Sequence, residues 1–139
     1  WTNIIDNEAP IGQVTSLTHF PGSDTILVSW NSSDIGPAGI YTHNIYYNVN
    51  GGLFRLWKYN TNLSSDFFIG LQDSTYGFYS IAIDSAYNIE EAPSLPDATM
   101  TITVDIDEIK SFIDGYFTSC GIHTASEIVK QGFVLCIRD

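Results

Sequence analysis

Apolar side chains recur at every second position along much of this chain, and that alternation most constrains its fold. Ile26, Val28 and Trp30, for example, share one face of an extended segment. Successive side chains of a β-strand point to opposite faces of the sheet, so a period of two predicts a half-buried strand. Helical spacing of three and four residues does not occur before residue 105. The chain up to residue 104 is therefore predicted to be β-structure.

Seven segments carry this signal and are separated by turn-forming residues. They are residues 13–17, 25–30, 40–49, 53–59, 66–69, 76–84 and 98–104. The strongest turn is Asn50-Gly51-Gly52, because Asn and Gly adopt positive φ at low steric cost. Short strands joined by such turns predict an all-β, seven-stranded antiparallel sandwich over residues 11–104, preceded by a linker at residues 1–10.

The pattern changes at Asp105. Apolar residues then recur at spacings of three and four, at Ile106, Ile109, Phe112, Ile113 and Phe117. This spacing predicts a small helical appendage over residues 105–139. It ends in an apolar, β-prone segment, residues 133–137. The segment either docks within its own chain or adds to the open edge of a neighbour's sheet, a contact that propagates into a filament.

The charge balance excludes several classes of partner. The chain has 16 acidic and 5 basic residues, a net charge of −11, which repels nucleic-acid phosphates and anionic membrane surfaces. No apolar run reaches the length of about 18 residues that a transmembrane helix needs. We expect no nucleic-acid binding and no membrane insertion.

A chain that starts at Trp1 without Met is expected to be a mature product or an excised piece.

Four features together resemble the fibronectin type III-like modules of bacterial and archaeal surface proteins. They are the acidic, proline-containing residues 6–10, the Trp30 region at 27–41, the hairpin at 50–57 and the segment 70–90. Asp73 and Tyr87 stand where that family usually has Gly. The resemblance implies an immunoglobulin-like sandwich at the cell surface or outside the cell. It also implies a spacer, adhesive or filament-building role, with other protein modules or copies of itself as partners.

Oxygen-bearing side chains flank two strands that the resemblance places antiparallel. Asp6 and Glu8 precede the first strand, and Asp84, Asn88 and Glu90 end or follow the sixth. These residues are then expected at one end of the module. Calcium takes six to eight oxygen ligands, so the sequence predicts a calcium site there. The alternative is an Asx-type turn at Asp84 and Asn88 with the other carboxylates solvated.

No catalytic motif is present, and we expect neither an enzyme nor a cofactor other than calcium. His19, His43 and His123 are scattered along the chain, without a zinc-protease, nucleophile-elbow or phosphate-loop pattern.

Aromatic residues suggest a second kind of site. If Trp57 faces solvent with Tyr46 and Tyr59, the three form a platform for glycans, as in a carbohydrate-binding accessory module of a larger secreted enzyme. The alternative is that cross-strand aromatic pairs only stabilise the sheet.

The sequence allows two covalent modifications, a disulfide bond and N-glycosylation. Cys120 and Cys136 either form a disulfide, worth about 3 kcal/mol on the chain-entropy estimate, or remain free thiols. Asn31 and Asn62 begin N-x-S sequons, which are glycosylated only in a chain exported through a glycosylating pathway.

Overall fold

Seven β-strands in two antiparallel sheets make up most of the part of this chain that the structure describes. The structure is a computed structural model that describes residues 5–103, 110–111 and 113–115. In chain order the strands are Ile11–His19 (β1), Thr25–Ser33 (β2), Ile40–Val49 (β3), Arg55–Thr61 (β4), Ser65–Ile69 (β5), Ser74–Asp84 (β6) and Ala98–Ile102 (β7). One sheet has the order β1-β2-β5 and the other β4-β3-β6-β7. The predicted all-β class is confirmed.

The chain divides into two compact units, Trp1–Val104 and Asp105–Asp139, at the position where the sequence pattern changes. In the second unit, the described residues 110, 111 and 113–115 are helical and exposed, and they fall within the predicted helix. The rest of the predicted appendage, including Cys120, Cys136, His123 and residues 133–137, lies outside the described residues.

Both sheets contribute to one apolar core. Ile26, Val28 and Trp30 of β2 are buried on one face, as their alternation predicts. Phe68 of β5 brings its ring centroid to 5.0 Å from that of Phe78 on β6, a contact between the two sheets. Aromatic rings bury large areas and favour such edge-to-face contacts, so these rings account for much of the attraction between the sheets.

Strand β6 is buried on both faces from Tyr76 to its end, so its burial does not alternate. Tyr76 and Phe78 belong to the core. Farther along, Ser80 and Ala82 lie beneath β1, where a Cβ added to Gly12 would stand 2.8 Å from Ser80 Oγ. Small residues on both strands allow this close approach.

Turn conformations explain several residues that the sequence singled out. Asn50 and Gly51 have φ of 51° and 73°, and the Gly52 N–H donates to Val49 O at 2.9 Å. This geometry is the predicted tight hairpin turn. Asp73 and Tyr87 have φ of 58° and 66°, so both adopt the left-handed backbone that Gly favours. A side chain in that conformation costs roughly 1–2 kcal/mol.

Candidate functional site

A fully buried carboxylate organises the end of β6. Asp84 has 0% relative exposure. Its Oδ1 accepts hydrogen bonds from the N–H groups of Ala86 and Asn88, both at 2.8 Å, and its Oδ2 accepts one from Asn88 Nδ2, also at 2.8 Å. An Asx-type turn at Asp84 and Asn88, one part of the alternative to the calcium site, is therefore present. Asn88 Nδ2 also donates to Asp6 O, which ties the N-terminal segment to this turn.

Burial alone would raise the pKa of Asp84 by penalising its charged form. Hydrogen bonds from the Asn88 side chain and from the backbone of Asn88, Ala86 and Tyr87 outweigh that effect and lower the pKa below its usual value. A carboxylate that accepts several hydrogen bonds is stabilised in its ionised form. Asp84 is thus an anion near neutral pH.

Two further carboxylates complete what we call the acidic cluster, Asp6, Asp34 and Asp84. One oxygen from each lies within 4.8 Å of those from the other two. Asp34 accepts from the N–H groups of Gly36 and Gly39 in the β2–β3 loop. Asp6 Oδ2 accepts from Ala38 N at 2.8 Å, so the N-terminal segment is joined to the same loop.

The structure changes the set of residues predicted to hold calcium. Asp6, Asp84 and Asn88 do come together, whereas the Glu8 and Glu90 carboxylates are not part of the cluster. Asp34 was missed, because its position at this end depends on how the β2–β3 loop folds back. No Lys or Arg among the described residues forms an ion pair with the cluster. Calcium binding, now assigned to Asp6, Asp34 and Asp84, stays a prediction.

Glu90 has a different role, in what we call the carboxylate seam between β1 and β6. Its Oε2 accepts from Gly12 N at 2.8 Å and from Ala82 N at 2.9 Å. Two residues farther along β1 and two back along β6, Asp97 Oδ2 accepts from Val14 N and Ser80 N. The seam satisfies backbone donors that neither sheet's own ladder uses, and it joins the two sheets along one side.

The pKa of Glu90 is raised. Burial is the main cause, and the nearby Asp97 carboxylate adds to it, while the hydrogen bonds from Ala82 and Gly12 act in the opposite direction. Glu90 therefore serves as a hydrogen-bond acceptor whose negative charge is only partly compensated by its surroundings.

The predicted platform of Trp57, Tyr59 and Tyr46 is not formed, and this prediction is wrong in its geometry. Trp57 points into the core, with its ring centroid 6.2 Å from that of Trp30 and 5.3 Å from that of Phe68. Tyr46 instead stacks on Tyr79 at 4.9 Å, and Tyr59 stands apart with 69% exposure. In this position the Trp57 ring makes edge-to-face contacts with the core rings of Trp30, Phe68 and Phe78, which bury part of its apolar surface.

Tyr46, Phe54 and Tyr79 form an outer aromatic cluster that the sequence analysis did not identify. Phe54 lies 4.5 Å from Tyr79, edge to face. Phe54 also lines an open cleft of about 490 Å³ between the β3–β4 hairpin and the β6–β7 loop. The cleft walls include the exposed Leu53 and Leu95, with Asn48 and several hydroxyl side chains among the remaining lining groups.

His19 and His43, the two histidines that the structure describes, each have a hydrogen-bond partner. His43 Nε2 is 2.7 Å from Ser32 Oγ, and burial lowers the pKa of its ring, so it is expected to be neutral near pH 7. His19 Nε2 lies 2.8 Å from Ser23 O in the β1–β2 turn. The sequon residues Asn31 and Asn62 are both exposed, and their glycosylation stays a prediction.

Among the residues that the structure describes, none belongs to a helix with the length and apolar character needed to cross a membrane. No protein-family model matches this chain, and no curated protein matches it in sequence. The fold and the side-chain geometry therefore carry the functional argument.

Proposed function

We propose that residues 11–104 form a fibronectin type III-like sandwich that acts as an extracellular structural or adhesive module, in a spacer or self-assembling protein. The observation that carries the proposal is the pairing order β1-β2-β5 and β4-β3-β6-β7 around a shared aromatic core. The motif at Trp30, the Asp84 turn and the left-handed Tyr87 support the likeness.

The hydrogen bonds within and between the two sheets suit a structural role. Sheet backbones are hydrogen-bonded in both layers, and the two sheets are further joined by the carboxylate seam. Such cross-links hold the layers in register against shear. An excess of acidic residues keeps non-specific association low, so contacts between modules depend on specific apolar surfaces.

Self-assembly and surface location are tested separately. Light scattering and negative-stain imaging of the full chain over a range of concentrations should show end-to-end particles. An antibody against the chain should label intact source cells. A strictly monomeric chain, or labelling that requires cell lysis, would contradict the corresponding part of the proposal.

Glycan binding is a second candidate, favoured by the cleft beside the outer aromatic cluster. Aromatic rings stack on the apolar faces of sugar rings, and Asn48 and nearby hydroxyls offer polar contacts. A glycan array should then show binding that Phe54→Ala abolishes. Tyr59→Ala is the matched control, because Tyr59 is exposed and forms no part of the cleft lining or the outer aromatic cluster. Binding that survives Phe54→Ala would remove this candidate.

A further inference from the structure

The free edge of β5 is the one sheet edge among the described strands that combines regular pairing with exposed apolar side chains. β5 pairs with β2 over all five residues without a register shift. Gly70 N donates to Asp24 O, and Ser64 O accepts from Trp30 N. In a strand, the N–H and C=O groups of one residue point to the same side, and those of the next residue point to the other side. Since Ser64 and Gly70 bond on the β2 side, the N–H and C=O groups of Ser65, Phe67 and Ile69 point away from β2.

Side chains around this edge are open to solvent. Phe67 is 58% exposed and Ile69 is 77% exposed, and Leu71 follows them with 71%. Phe67 also touches Phe20, at 6.2 Å between ring centroids, so the apolar surface continues onto the outer face of the three-stranded sheet. An exposed apolar edge of this kind is a template for pairing with another strand.

The β1 edge is closed to an added strand. Its outward N–H groups at Gly12 and Val14 already donate to Glu90 and Asp97. The pairing of β1 with β2 also shifts between Val14 and Ser16, which bends the strand.

The β4 and β7 edges are poor acceptors for other reasons. β4 carries Arg55 and Lys58, and its pairing with β3 has two register shifts. β7 presents the polar Thr99 and Thr101 at its exposed positions and no exposed large apolar side chain.

The C-terminal sequence contains a segment that fits the β5 edge in length, apolarity and charge. Residues 133–137 match the five residues of β5 in length and are apolar and β-prone. They are flanked by Lys130 and Arg138, two of the 5 basic residues in the chain, and no acidic residue lies in 128–138. The receiving edge carries Asp66 and lies next to Asp24.

We infer that residues 133–137 of a second copy of this chain add to the free edge of β5 as an extra strand. This inference rests on the proposed self-assembly and names the surfaces that carry it. Asp66 Oδ1 accepts from Phe67 N at 2.8 Å and also pairs with Lys58. The incoming strand replaces that bond to Phe67, and the displaced carboxylate gains Lys130 or Arg138 as an alternative partner. Because donor and acceptor are different surfaces, the contact is heterologous and copies join head to tail, into an open chain or a closed ring.

The test uses two variants of the full chain, one at each proposed surface. Ile69→Lys places a charge on the β5 edge, and Val134→Pro removes an N–H from the donor segment. Each variant alone should be monomeric by light scattering at concentrations where the unmodified chain assembles. Leu56→Lys is the matched control on the β4 edge, where Leu56 is 47% exposed, and it should assemble normally. Circular dichroism and a melting curve confirm that every variant is folded.

Mixing the two monomeric variants is the decisive step. Ile69→Lys retains the donor segment and Val134→Pro retains the acceptor edge, so an equimolar mixture should form a complex of two chains and nothing larger. A mixture that stays monomeric, or an Ile69→Lys variant that assembles like the unmodified chain, overturns the inference while leaving self-assembly by another surface intact. An unmodified chain that is monomeric at all concentrations overturns both.

Discussion

Replacing Glu90 tests whether the carboxylate seam stabilises this fold through hydrogen-bond acceptance or through charge. Glu90→Ala removes the acceptor shared by Gly12 N and Ala82 N, two part-buried donors. Hydrogen bonds to charged groups contribute about 1.5–3 kcal/mol each, and unmade buried bonds cost a similar amount. Because water reaches part of this site, we take the lower end for each bond and expect a loss of about 3 kcal/mol. For a domain of about 100 residues this corresponds to roughly 12–24 °C in melting temperature.

Glu90→Gln is the matched variant, because its amide oxygen still accepts both hydrogen bonds. The raised pKa of Glu90 means that the folded state disfavours the ionised form of this side chain more than the unfolded chain does. For an acid whose folded pKa lies above its unfolded value, the contribution to stability is fully present below the unfolded pKa. It is lost as the pH rises through the folded pKa. The Gln variant should therefore lie within about 1 kcal/mol of the unmodified chain at pH 7 and lack this pH dependence.

Urea denaturation followed by tryptophan fluorescence measures both effects, since Trp30 and Trp57 lie in or against the core. Equal losses of stability in Glu90→Ala and Glu90→Gln would show that the seam requires the negative charge of Glu90 rather than its capacity to accept hydrogen bonds. A Glu90→Ala variant within 0.5 kcal/mol of the unmodified chain, about the size of an ordinary surface effect, would refute the seam as a stabilising contact.

Three further predictions follow from the acidic cluster and the core. The lowered pKa of Asp84 gives stability that is present above its unfolded pKa and lost as the pH falls through the folded one. Melting temperatures of Asp84→Asn should accordingly be lower than normal at pH 7 but change less on acidification; parallel pH profiles would contradict this. Trp57→Ala should lower the free energy of unfolding by about 3 kcal/mol in urea denaturation, because the ring packs on the core. A loss of stability as small as that of an ordinary surface substitution would mean that Trp57 faces solvent. Calcium should raise the melting temperature, and EDTA should reverse that rise. Asp34→Asn should abolish the rise, whereas Glu8→Gln should leave it unchanged. An unmodified chain whose melting temperature does not change with calcium would exclude the site.

The strands were predictable because their signal is local. Period two is a property of the extended backbone itself, so Ile26, Val28 and Trp30 could be assigned to the buried face of β2 without knowledge of its neighbours. The hairpin at Asn50 and Gly51 was equally local, since the residue types that accept positive φ identify it.

Residues that depend on their neighbours were predicted less well. Trp57 lies on an edge strand with irregular pairing to β3, so alternation alone could not assign its face. Asp34 was missed because the fold of the β2–β3 loop brings its carboxylate close to those of Asp6 and Asp84. In the sequence, the one available signal for this position of Asp34 was the set of turn-forming residues in the β2–β3 loop, Asp34, Gly36 and Gly39.

By itself, the sequence determined where strands and turns form, which side chains of β2 are buried, and that the surface is acidic. The tertiary structure alone decided that Glu90 and Asp97 join β1 to β6 and that Asp6, Asp34 and Asp84 converge. It also decided that, among the described strands, only β2 pairs with β5. The reason is physical: strand formation follows from the short-range geometry of the backbone, whereas seams, clusters and edges arise only when segments distant in sequence are brought into contact.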